Sequence, residues 1–127
     1  MISSCSLRTQ ETADKLADKL EFEGPRYYLS ELYLTPPETL RDILMMQEKH
    51  FESILVVGHN PQVTEVVNML TEEHVSKIPT VGVIAINFDI DEWSELIEAK
   101  GEIDFFIYPK QFKYYMPKQI RATLALN

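Results

Sequence analysis

The stretch Ile54-Leu55-Val56-Val57-Gly58-His59-Asn60-Pro61 decides the fold class. Its first four residues form a short continuous apolar run, the pattern of a parallel strand covered on both faces. Asn60-Pro61 then reads as a helix cap followed by proline, opening a helix that buries Val63, Val66, Val67 and Leu70. A strand that turns directly into a helix is the repeating unit of a layered α/β domain. The same unit appears upstream. Met1-Ile2-Ser3 resembles the tail end of a strand, and a helix follows with Ala13, Leu16, Ala17 and Leu20 along one stripe and Asp14, Lys15, Asp18 and Lys19 opposite. Gly24-Pro25 closes that helix. A second helix is entered at Thr35 as N-cap, with Pro36 in the first turn, Glu38 three residues after the cap, and a core face of Leu40, Ile43 and Leu44. Downstream, Val83 to Phe88 and Asp104 to Tyr108 read as strands, joined by a brief helix over Asp91 to Ile97. The expected fold is α/β, with three αβα layers around a mostly parallel sheet.

Composition bounds the function. The 127 residues, 45% hydrophobic and 25% charged, suit one globular domain spanning 1–127. The net charge is −8, and the first 104 residues hold eight basic and twenty acidic groups. That body, at −12, argues against a nucleic-acid binder, whose affinity comes mostly from Lys and Arg on phosphates. The tail from Phe105 is basic and aromatic, with Lys110, Lys113, Lys118, Arg121, Phe112, Tyr114 and Tyr115, and the acidic body weighs against single-strand stacking there. No apolar run approaches a membrane span, and Met1-Ile2-Ser3-Ser4 lacks the charged start and apolar core of a signal peptide, so no membrane role and a cytoplasmic location are expected. The single Cys5 excludes an internal disulfide, and no Cys/His zinc spacing occurs.

Two strand-to-helix junctions carry candidate chemistry. One is Ser3-Ser4-Cys5-Ser6-Leu7-Arg8-Thr9; the other is Val57-Gly58-His59-Asn60-Pro61. In an open α/β sheet such junctions lie at the carboxyl ends of the strands, where ligands bind. A helix N-terminus there offers free N–H groups and a positive dipole end to an anion. Arg8 brings a permanent charge with fork geometry and His59 a hydrogen-bond donor, so the pair is expected to converge on a phosphate. Taken singly, Arg8 reads as a solvated side chain and His59 as part of a capped turn; the pairing on one sheet is what favours a site. Gly58 fits a close backbone approach or an unusual turn. Cys5 is three residues from Arg8 and runs straight into a helix, whereas cysteine-based phosphatases place the arginine six positions on, so Cys5 reads as a semi-buried thiol.

With these residues in view, the chain resembles the histidine phosphatase superfamily, the phosphoglycerate-mutase-like fold, and in particular its phosphohistidine phosphatase (SixA) branch. Ser3-Ser4-Cys5-Ser6-Leu7-Arg8-Thr9-Gln10-Glu11-Thr12-Ala13 is similar to the family's Ser-Ser-x-x-x-Arg-x-x-x-Thr-Ala stretch. Leu32-Tyr33 with Glu38-Thr39-Leu40, then Leu55 to Pro61, then Pro79 to Ile86 follow in the family's order, out to about Phe112. The resemblance implies phosphoryl transfer through a nucleophilic histidine of an Arg-His-Gly motif, with Arg8 and His59 clamping the phosphoryl oxygens and neither metal nor cofactor involved. It places Glu31 where some relatives keep a proton-donating carboxylate, although an exposed loop glutamate is the plainer reading. It also puts Asn60 and Thr80 near the pocket. The implied substrate is a phosphorylated protein or a small phosphoester.

One departure matters. No Arg-His-Gly occurs; His50 lies near a helix end and His74 in an acidic loop. The family's nucleophile precedes the Ser-Ser-Arg segment, which here begins at Ser3. The first central strand is therefore expected to be missing, the chain an N-terminally truncated domain and inactive as it stands; the alternative is a non-catalytic phosphate- or phosphoprotein-binding remnant. In the family sheet the lost strand lies between Ile54–Val57 and Val83–Phe88. Two unpaired edges should result, leaving a gap and a tendency to self-associate.

Overall fold

The structure, a computed structural model, describes residues 1–32, 35–79 and 82–108. The elements run β1 (Ile2–Ser4), α1 (Leu7–Lys19), β2 (Tyr27–Leu29), a 3-10 turn (Ser30–Leu32), α2 (Pro37–Met45), β3 (Val56–Val57), α3 (Gln62–Leu70), β4 (Val83–Asn87), a second 3-10 turn (Trp93–Ile97) and β5 (Glu102–Ile107). The first three strands form a parallel sheet in the order β2-β1-β3, with Ile2 opposite Tyr27 on one side and Val56 on the other. The mixed α/β class and the parallel pairing agree with the sequence reading. Among the described residues β4 and β5 do not join this sheet but make a separate antiparallel ribbon.

Helices cover both faces of the parallel sheet because side chains alternate along β1. Met1 meets Ala13 and Ala17 of α1 together with Val57. Ile2 points the other way, into a larger cluster with Leu32, Leu40, Leu44, Val66, Leu70 and Leu96. The ribbon is joined to this body through Gly101, whose N–H donates to the Leu70 carbonyl at 2.7 Å, and through Phe88 and Ile90, which pack on the larger cluster. A Cβ at Gly101 would collide with the side chains of Ile86 and Phe88, so glycine leaves room for these two side chains to pack over the strand.

Several expectations are corrected. Thr35 does not cap α2: Pro36 is the N-cap, and no side chain closes the turn. The Thr35 hydroxyl and carbonyl instead accept from the buried Gln62 amide at 2.8 and 3.0 Å, tying the start of α3 to α2. Asn60 does not cap α3 either. Pro61 stands at the N-cap, and the Asn60 side chain holds the Ile78 carbonyl at 2.8 Å and accepts from the Thr64 hydroxyl. Leu20 follows the end of α1 and is 62% exposed rather than part of its buried stripe. The sequence reading has no counterpart for β2, whose Tyr27 and Tyr28 are exposed and carry no buried-strand pattern. The Tyr28 phenol donates to Asp14 at 2.5 Å, and that bond, first among its causes, raises the phenol above its ordinary pKa.

Candidate functional site

Both junctions singled out from the sequence emerge from neighbouring parallel strands. Ser3 sits opposite Val57, so Ser4 at the end of β1 and Gly58-His59 just past β3 open at the same end of the sheet. Arg8 follows in the first turn of α1, four residues beyond the strand, and is exposed. α1 has no side-chain cap: Ser6, its N-cap, donates to the Thr9 hydroxyl at 2.7 Å. His59 is half-buried, and its carbonyl accepts from the Val63 N–H, bending the chain into α3. Glu31 lies in the turn after β2, exposed, at that same carboxyl end. Thr80 lies outside the described residues, as does the basic aromatic tail beyond Tyr108.

Gly58 is required by close approach, not by an unusual turn. A Cβ there would come within 2.7 Å of Val63 Cγ1, and no glycine has positive φ. Because Val63 is β-branched and held on a helix, it cannot swing away cheaply. Gly58→Ala is therefore expected to destabilise the chain by about 1–3 kcal/mol, read from denaturant unfolding.

A buried hydroxyl at this end escaped the sequence reading. Ser4 is 0% exposed, and among the described residues its Oγ has no hydrogen-bond partner. Serine in a strand gives no periodic signal that would reveal this. An unpaired hydroxyl removed from water costs free energy that the apolar methyl of alanine does not. Ser4→Ala should leave the unfolding free energy unchanged or raise it by about 1 kcal/mol. Gln62 and Thr64 were missed for a related reason: helix periodicity counts apolar residues, and these two are buried for their hydrogen bonds.

Neither Arg8 nor His59 lines either of the two cavities, although Asn60, next to His59, lines the first. One, of about 460 Å³, runs along the outer side of α3 by Asn60, Thr64, Asn68 and Lys77. The other, of about 340 Å³, sits at the amino ends of the strands between Met1, Phe22, Tyr27 and Phe51. Among the described residues no group of three His, Cys, Asp or Glu side chains is placed to hold a metal ion. None of the described helices is long and apolar enough to cross a membrane. Cys5 is half-buried, as read from the sequence. His74 is exposed, and the exposed His50 pairs with Glu48 at 3.0 Å in the turn after α2. Comparison with known proteins finds no matching family model, no matching curated protein and no matching solved structure.

Proposed function

We propose that the chain is the phosphate-clamping part of a histidine-type phosphatase domain with a phosphoglycerate-mutase-like fold, working in the cytoplasm on a phosphorylated protein or a small phosphoester. The observation that carries the reading is the ordered motif set combined with the pairing of β1 and β3, which opens the Arg8 and His59 junctions side by side. Two donors at the carboxyl end of a parallel sheet, with the uncapped N-terminus of α1 beside them, suit an oxyanion.

In this reading the nucleophile is a histidine supplied from outside these 127 residues. Its ring nitrogen forms a bond to phosphorus as the bond to the leaving group breaks. Water then attacks phosphorus, the N–P bond breaks, and orthophosphate departs. Arg8 and His59 stabilise the negative charge on the equatorial oxygens in both steps, where fixed donors act most strongly. A proton must reach the leaving group, and Glu31 is the carboxyl group at this end of the sheet that the resemblance nominates.

Lacking an Arg-His-Gly motif, the 127 residues alone act as a binder. Orthophosphate titrated into the chain is expected to perturb the Arg8 and His59 resonances, without phosphomonoester turnover or an acid-labile phosphoenzyme. Arg8→Ala should weaken that binding by about ten- to a hundredfold, the worth of a charged hydrogen bond. Equal affinity in Arg8→Ala, or turnover by the unaltered chain that His59→Ala abolishes, overturns the assignment.

A further inference from the structure

The β4–β5 ribbon has two distinct faces. Val83, Ala85, Phe105 and Ile107 share one, set by the pairs Val83–Ile107 and Ala85–Phe105; Ile84, Ile86, Ile103 and Phe106 share the other. The second face is half-buried throughout. The first is apolar over these four residues yet open, with Val83 42%, Phe105 45% and Ile107 43% exposed, and it ends at the exposed polar pair Asn87–Glu102. A two-stranded ribbon is marginal by itself and gains by adding strands.

The four sheet margins differ in what they offer. Those of β2 and β3 are three and two residues long. β5 carries Glu102 and Asp104, and Asp104 is the extra residue of a bulge, because Phe105 faces Ala85 while Ile103 faces Ile86. Charges and a bulge are the devices that keep an edge from pairing. β4 has neither: Val83-Ile84-Ala85-Ile86-Asn87 is five residues long, without charge or proline. Among the described residues it is paired on one side only.

We propose that β4 pairs antiparallel with β4 of a second copy, about a two-fold axis through Ala85. The sequence is self-complementary in that register. Ala85 meets its own copy, Ile84 meets Ile86, and Val83 meets Asn87. A two-fold axis perpendicular to the sheet keeps like faces together, so the open apolar face becomes continuous over four strands in the order β5-β4-β4-β5. Charge selects this edge over the other: β5 against β5 about an axis at its middle would bring Asp104 beside its own copy, and like charges so placed are destabilising. Each copy is an anion of −8, so association should strengthen as salt screens the repulsion.

Cross-linking reads the register directly. In a Cys5→Ser background, Ala85→Cys should form an interchain disulfide under mild oxidation, since directly opposed Cα atoms lie about 4.5–5.5 Å apart, within disulfide reach. Val83→Cys alone should not, whereas Val83→Cys mixed with Asn87→Cys should. Sedimentation velocity on the unaltered chain should show a dimer that tightens with salt, and Ala85→Lys should weaken it at least tenfold while circular dichroism confirms the fold. A monomer at the highest soluble concentration overturns the proposal. So does cross-linking of Val83→Cys that matches Ala85→Cys, and so does a dimer that Ala85→Lys leaves intact in a folded chain.

Discussion

Extending the chain before Met1 with a strand and loop that carry Arg-His-Gly is expected to produce phosphomonoester turnover, and His59→Ala in that extended chain should then lower kcat by about 10²–10³-fold. The size of the loss follows from where the charge develops. A donor aimed at a growing oxyanion stabilises the transition state more than the bound substrate, so its removal falls on kcat rather than on KM. Arg8→Ala should behave differently. Its permanent charge also holds the ground-state dianion, so KM should rise together with the fall in kcat. A third measurement separates chemistry from folding: the extended His59→Ala chain should still unfold cooperatively at a denaturant midpoint close to its parent. Turnover in the extended chain that survives His59→Ala within a factor of two or three would remove His59 from the site.

Ile2→Ala carries the largest expected effect on stability. Ile2 is 2% exposed on the middle strand of the parallel sheet, flanked by Tyr27 and Val56, with Leu40, Leu44, Val66 and Leu70 packed over it. The substitution deletes three carbons and leaves a cavity that two helices and two strand partners cannot all close. The loss should be about 2–5 kcal/mol. Against the 5–15 kcal/mol of an ordinary domain, this brings the chain near its unfolding threshold. Thermal melts should show the midpoint falling by roughly 10 °C or more. Leu20→Ala is the matched control. That leucine sits past the end of α1 at 62% exposure, so its truncation should stay within about 0.5 kcal/mol of the parent. A comparable loss at both positions would mean that the Ile2 cluster does not form the core.

Both predictions rest on features of unequal visibility in the sequence. Ala13, Ala17, Val66, Val67 and Leu70 are legible because a helix packed on one side repeats its apolar residues every three or four positions. Leu20 satisfies the same spacing yet is exposed, since periodicity does not mark where the helix stops. Thr35 and Asn60 have the chemistry of N-caps, but each is one residue too early and is drawn into a tertiary bond, to Gln62 and to Ile78 respectively. A capping preference of about 1 kcal/mol is small enough for one such bond to displace. Arg8 and His59 were legible as a pair of strand-end residues; the buried Ser4 hydroxyl was not, because nothing local distinguishes it from the exposed Ser53.

The sequence by itself determined the class of the chain: apolar runs too short for helices set the strands, amphipathic stripes set the helices, and their alternation set a layered α/β domain. It also placed Arg8 and His59 just past the ends of two strands, a consequence of chain order alone. Tertiary structure decided which strands are neighbours. Pairing requires backbone groups far apart in the chain to meet, and no local pattern specifies the partner, so the side-by-side placement of β1 and β3 had to be seen. The same is true of the division into a parallel sheet and a separate ribbon. Val83 to Phe88 reads as a strand from its residues; only the fold shows it paired, among the described residues, on one side, with its apolar face in water.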